Sequence, residues 1–190
     1  VSENIIISTR NLGDVETEDH LTAASQGDSG DLTFNAPEIT LMTGSKLLTH
    51  VEKDSSYAPG KITLQATAIP EIDGFGITSQ STAKITVNGA TLKGGTVTFD
   101  AAATDATTFD DDGTPSDAFF NLVTGVRVLA GVSLSRANAE ILINGASRIE
   151  ADSLTMNAAA QTNATVKTIS TGLGVAWGES SPTAKVIVGD

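Results

Sequence analysis

The chain has 190 residues and a formal net charge of −12, from 11 basic against 23 acidic side chains. That balance repels phosphate backbones and anionic lipid, and argues against nucleic acid or a membrane surface as partner. It contains no cysteine, which removes disulfides, thiolate metal ligands and thiol catalysis, and its 39% hydrophobic but only 4% aromatic content calls for a core of small and aliphatic side chains.

The chain begins at Val1, just before the apolar stretch Ile5-Ile6-Ile7 and without an initiator Met, and its final run, Ala184 to Asp190, stops partway through a repeated pattern. Residues 1–190 are therefore read as a single segment excised from a larger repetitive protein. The repeat begins with Asp31-Leu-Thr-Phe-Asn-Ala36, and this phrase returns as Lys61–Ala66, Thr96–Ala101 and Ser153–Ala158. Each copy alternates apolar and polar residues, the period of a strand with one buried face. Leu32, Phe34 and Ala36 align with Ile62, Leu64 and Ala66, with Val97, Phe99 and Ala101, and with Leu154, Met156 and Ala158. The shared Thr points outward, where a β-branched hydroxyl suits a pleated surface.

A second phrase follows each of these. Glu38-Ile-Thr-Leu-Met-Thr-Gly44 returns as Lys84–Gly89 and Glu140–Gly145, and as Lys185–Gly189 with the glycine one place early. The glycine supplies a positive-φ corner. Third strands are expected at Ser45–Val51, Ala90–Lys93 and Ala146–Ala151, with loops at Ala58–Gly60, Gly94–Gly95 and Ala151–Asp152 leading back to the first phrase. Insertions fall at about 67–82, 102–138 and 159–183. Alternating Val126, Val128, Ala130, Val132 and Leu134, and Val166 with Thr168, indicate that they add strands as well as loop.

Helical periodicity is absent, so the fold is expected to be all-β. Short strands joined by glycine corners and repeated turn after turn describe a parallel β-helix (a β-solenoid) with three strands per turn plus insertions. Equivalent residues then stack about 4.8 Å apart. Parallel crossovers are overwhelmingly right-handed, so a right-handed coil is expected. The longest apolar run, Phe119 to Leu134, is interrupted by Gly125, Arg127 and Gly131 and is too short for a membrane span, so no membrane insertion is expected.

The runs Gly30–Ala66 and Ala83–Ala101 resemble the repeats of filamentous-haemagglutinin-type exoproteins and of giant repetitive bacterial surface proteins (adhesins). The likeness rests on Gly30-Asp31, Ala36-Pro37-Glu38-Ile39 and Gly44-Ser45, each opening a strand. It implies a right-handed β-helix exported to the bacterial cell surface, with roles in adhesion, as a stalk or in cell–cell contact. It supplies no catalytic residue.

Several residue groups invite a chemical reading. Gln26-Gly-Asp-Ser-Gly30, near His20, carries a serine-protease-like string. It immediately precedes a strand, however, where Gly, Asp and Ser are turn formers, and no triad order is present. His20 and His50 lack a third metal ligand. Asp110, Asp111, Asp112 and Asp117, flanked by Asp105, are a candidate Ca²⁺ site, since hard oxygen donors suit that ion. The spacing fails the EF-hand pattern, and a solvated loop tip is the competing reading. Asn35, Gln65, Asp100 and Asn157 fall in register as a polar ladder, read as amide hydrogen bonding along the stack. Gly172-Leu-Gly174 with Gly178 echoes a dinucleotide loop but has no following helix. Phe119, Phe120 and Trp177 are candidate contact residues for a partner or glycan.

The first functional reading is a non-catalytic stalk and contact surface that meets a glycan or protein on a neighbouring cell. The alternative is a β-helix module that binds or degrades polysaccharide. Such enzymes gather carboxylates with Arg or Lys on one face, and of the four arginines only Arg148, beside Glu150, fits. No cofactor is expected apart from the candidate Ca²⁺. Open strands at both ends of the stack also favour end-to-end self-association.

Overall fold

The computed structural model describes residues 6–8, 28–49, 51, 57–68, 70–72, 78–111, 129–168 and 174–189. Among them every regular element is a strand: β1 (Ile6–Ser8), β2 (Leu32–Ala36), β3 (Glu38–Leu41), β4 (Lys46–Thr49), β5 (Lys61–Thr67), β6 (Glu71–Ile72), β7 (Thr78–Asn88), β8 (Thr91–Asp111), β9 (Leu129–Asn144), β10 (Arg148–Thr168) and β11 (Gly174–Val188). They form two curled sheets. One contains β1, β4, β8, β5, β2 and β10; the other contains β11, β9, β7, β3 and β6. All pairings are parallel except the short β6–β7 contact.

The register is the one that the repeated phrases dictate. Phe34 lies beside Leu64, Leu64 beside Phe99, and Phe99 beside Met156. Ala36, Ala66, Ala101 and Ala158 form a parallel column. In the second sheet Ile39, Ile85, Ile141 and Val186 stack, as do Leu41, Val87, Ile143 and Val188. The inward columns meet between the sheets and build one core, in which Ile62, Leu64, Val97, Phe99, Ile85 and Ile141 are fully buried. Each such side chain contributes about 1.5–3 kcal/mol by leaving water. A one-residue slip would turn every apolar position outward, so burial itself locks the register.

Glycine makes the corners. Gly44, Gly89 and Gly145 adopt φ of 87°, 65° and 60°, a conformation that a side chain resists. At Gly60 the need is different. A Cβ there would lie 2.2 Å from the Gly30 carbonyl oxygen, because neighbouring layers bring their backbones together where the chain re-enters the first phrase.

Two expectations change in the structure. The third strand and the next copy of the first phrase are separate only in the first layers, as β4 and β5. Later they fuse: β8 runs through Gly94–Gly95 and β10 through Ala151–Asp152. Thr91–Gly94 of β8 pairs with β4, Thr96–Ala102 pairs with β5, and β10 follows the other edge. Ladder pairing on both edges of β8, and along the one paired edge of β10, runs through these Gly and Asp residues and overrides their turn preference.

The insertions do add strand, chiefly by lengthening elements that already exist. β8 and β10 continue past the first phrase to Asp111 and Thr168, while β7, β9 and β11 start well before the second. Facing residues in this extension are small: Ala103 on β8, Ser81 and Ala83 on β7, and Ala137 and Ala139 on β9, all buried. Leu134 closes the alternating apolar series, and the buried parity of β9 belongs to Ser133, Ser135 and Ala137.

Candidate functional site

The densest chemistry lies inside this extension. Asp105 on β8 is 2% exposed and accepts three hydrogen bonds from the opposite sheet. The Ser79 hydroxyl of β7 donates to Oδ1, the Ser135 hydroxyl of β9 donates to Oδ2 at 2.5 Å, and the Arg136 N–H donates to Oδ2 at 3.0 Å. One position further along, the Ser133 hydroxyl donates to the Thr107 carbonyl at 3.0 Å while the Thr107 hydroxyl donates to the Leu134 carbonyl at 3.1 Å. A buried carboxylate is tolerable only when its lone pairs are satisfied in this way. Ser79 and Ser135 are fully buried, so neither hydroxyl meets a substrate as a nucleophile. The cluster clamps β7, β8 and β9 together. Ser81, next on the inward side of β7, holds a buried hydroxyl with no hydrogen-bond partner.

In the sequence Asp105 stands only as a flank of the acidic run. Its inward role was signalled by parity, since Val97, Phe99, Ala101, Ala103, Asp105 and Thr107 continue one alternating series. The acidic run itself is only partly described: Asp110 and Asp111 end β8, whereas Asp112, Asp117, Phe119 and Phe120 lie outside the described residues, as do His20 and His50. Among the described residues no group of three or more acidic or histidine side chains is placed to hold a metal ion.

On the outer surface Lys93 and Glu150 are neighbours across β8 and β10. Lys93 Nζ lies 3.4 Å from Glu150 Oε2, and Arg148 Nε contacts Oε1. The hydrogen bond from Lys93, helped by the charges of Arg148 and Lys93, holds the Glu150 carboxyl below the ordinary glutamate range against the opposing effect of desolvation. A general acid needs the opposite shift. An open groove passes beside the pair, lined in part by Val51, Pro59, Gly94 and Asp152.

The polar ladder is in register as expected: Asn35 beside Gln65, Gln65 beside Asp100, and Asp100 beside Asn157. Asn157 Nδ2 donates to Asp100 Oδ1 at 2.8 Å, so the polar column knits layers together. Trp177 sits opposite Val132 in the β9–β11 register, on the parity that faces away from the core, and is 61% exposed.

The described part of the protease-like string, Asp28–Gly30, and the Asp31 that follows it are tied to the next layer. Asp28 Oδ1 accepts the Ala58 N–H at 2.8 Å, and Asp31 Oδ1 accepts the Lys61 N–H at 2.8 Å. Both carboxylates therefore satisfy backbone donors of the next layer. Ser29 is buried. Comparison with protein-family models, curated proteins and solved structures finds no match for this chain.

Proposed function

We propose that this chain is a structural and adhesive segment of a large secreted or cell-surface bacterial repeat protein of the filamentous-haemagglutinin type, non-catalytic, and coiled as a right-handed parallel β-helix with three strands per turn. The single observation behind this reading is the in-register stacking of Phe34, Leu64, Phe99 and Met156 together with their neighbouring columns. A stack of that kind has no natural length limit, because each layer contacts only the next and more layers extend it without altering the core. The handedness follows from the general rule for parallel crossovers. Fusion of the third strand with the first phrase is a straightening of one corner within the same three-phrase layer. The low Glu150 carboxyl range and the buried serines favour a scaffold over a polysaccharide-degrading module.

Contact with a glycan or protein on a neighbouring cell is assigned to the outward face that carries Trp177, whose exposed indole offers a flat apolar surface. Ca²⁺ at Asp110, Asp111, Asp112 and Asp117 is a separate element of the proposal. The test is binding to a glycan array and to intact cells, with Trp177→Ala as the comparison. Binding that falls at least about tenfold in the variant supports the reading. Binding unaffected by the variant, or turnover of polysaccharide, overturns it.

A further inference from the structure

Two corners of the stack carry nearly the same four residues. Val87-Asn-Gly-Ala90 and Ile143-Asn-Gly-Ala146 each close a copy of the second phrase, and Gly89 and Gly145 hold φ of 65° and 60°. Asn88 and Asn144 are partners in the β7–β9 register. When glycine follows asparagine, the main-chain nitrogen reaches the side-chain carbonyl carbon with little obstruction, because glycine brings no Cβ. Local sequence gives the two corners the same reactivity, and only the fold separates them.

The fold treats the two nitrogens differently. The Gly89 N–H is occupied: it donates to the Asn144 carbonyl at 3.2 Å and to Ser147 Oγ at 2.9 Å. The Gly145 N–H has no acceptor among the described residues, and Gly145 is exposed. In the next phrase the glycine comes one place early. Gly189 engages this layer through its own N–H, donated to the Ile143 carbonyl at 3.0 Å, and not as an acceptor for Gly145.

The oxygen of the Asn144–Gly145 peptide is, by contrast, doubly held. It accepts the Gly89 N–H and also the Ser147 hydroxyl, the latter at 2.6 Å. When Gly145 gives up its amide proton, negative charge spreads onto this oxygen. Two donors already aimed at it stabilise that anion, as an oxyanion hole does. Asn144 Oδ1 is buried with no hydrogen-bond partner, so no bond restrains this end of the side chain.

We infer that Asn144 is a self-modifying site, activated by the fold for conversion to aspartate and isoaspartate through a cyclic imide. The Gly145 nitrogen bonds to Asn144 Cγ, the Cγ–Nδ2 bond breaks, and Nδ2 takes up the displaced proton and leaves as ammonia. Water then opens the ring at either carbonyl, its hydroxyl going to carbon and its hydrogen to nitrogen. An amide is exchanged for a carboxylate, and the isoaspartate form adds one carbon to the main chain at the corner. Asn88 is spared, because its neighbouring nitrogen is engaged. This inference rests on the corner geometry and not on the adhesive reading, so either can fail without the other.

The test is incubation of the folded 190-residue chain at mildly alkaline pH in water enriched in heavy oxygen, followed by peptide mapping with mass spectrometry. Far-UV circular dichroism controls for folding. Asn144 should gain labelled oxygen about tenfold faster than Asn88, the difference that hydrogen bonds to a developing charge supply. In concentrated urea the two sites should react at closely similar rates. Ser147→Ala removes one donor and should slow Asn144 about tenfold, whereas a variant that merely loosened the corner would speed it. Ser147→Thr keeps the hydroxyl and should keep the parent rate, which covers the case in which the alanine variant does not fold. Equal rates at Asn88 and Asn144 in the folded chain overturn the inference. So does a folded Ser147→Ala variant that reacts as fast as the parent or faster, or a folded Ser147→Thr variant that loses the preference for Asn144.

Discussion

Ser135 of β9 donates its hydroxyl to Asp105 of β8 across the space between the two sheets, at 2.5 Å and out of reach of solvent. Asp105 is thereby the one ionisable side chain among the buried residues described in the core, and its partners come from two different layers of the opposite sheet. Asp105→Ala leaves two hydroxyls and an N–H without an acceptor, and should destabilise the fold by about 2–4 kcal/mol in urea titration. Asp105→Asn retains one acceptor and should cost less. Ser81→Ala removes a hydroxyl that bonds to nothing, and should be neutral or stabilising.

The columns should show a gradient of mutational sensitivity along the stack. Phe99 is enclosed by a layer on either side, so Phe99→Ala should cost about 3–5 kcal/mol, and Leu64→Ala about 2–5 kcal/mol. Leu154 ends its column and is 46% exposed, so Leu154→Ala should cost less than about 1.5 kcal/mol. Chemical denaturation of the three variants measures the ordering directly, and equal effects at all three sites would be inconsistent with a stack.

Gly60 and Gly189 make a matched pair. A methyl group at Gly60 collides with backbone of the preceding layer, whereas one at Gly189 meets nothing within 4 Å. Gly60→Ala should lower stability by about 1–3 kcal/mol, and Gly189→Ala should stay within about 0.5 kcal/mol of the parent. Thermal melts of the two variants suffice.

Glu150 should titrate below an ordinary glutamate because the Lys93 hydrogen bond favours its charged form. A folded-state value below the unfolded one means that the pair's contribution is present above the unfolded pKa. It is lost as pH falls through the folded one. Carboxyl-carbon NMR should place the midpoint below that of exposed glutamates, and Lys93→Ala should raise it toward the ordinary range.

Much of this architecture is legible in the sequence, because the same chemistry recurs at the same parity. Leu32, Ile62, Val97 and Leu154 declare one column, and the accompanying threonines declare its outer face. Corner glycines at 44, 89 and 145 are legible for the same reason, since each closes a copy of the second phrase. Fusion at Gly94–Gly95 and Ala151–Asp152 is not legible. Local chemistry there favours turns, and only pairing with strands distant in sequence holds these residues extended. The Asp105 clamp is half-legible. Parity places Asp105 inward, but its serine partners lie at unequal distances along the chain, in insertions that match no phrase. Trp177 stands out as the sole tryptophan, and its outward direction follows only from the β9–β11 register.

A molecule whose hydrophobic interior is built of layers must place Leu64 between two aromatic rings supplied by phrases before and after it. Methyl-selective labelling of the leucines, with assigned nuclear Overhauser contacts from Leu64, reads that arrangement directly. Cross-peaks from the Leu64 methyls to the rings of both Phe34 and Phe99 are the predicted result. Contacts to neither ring, with Leu64 packed instead against residues outside its column, would contradict the account.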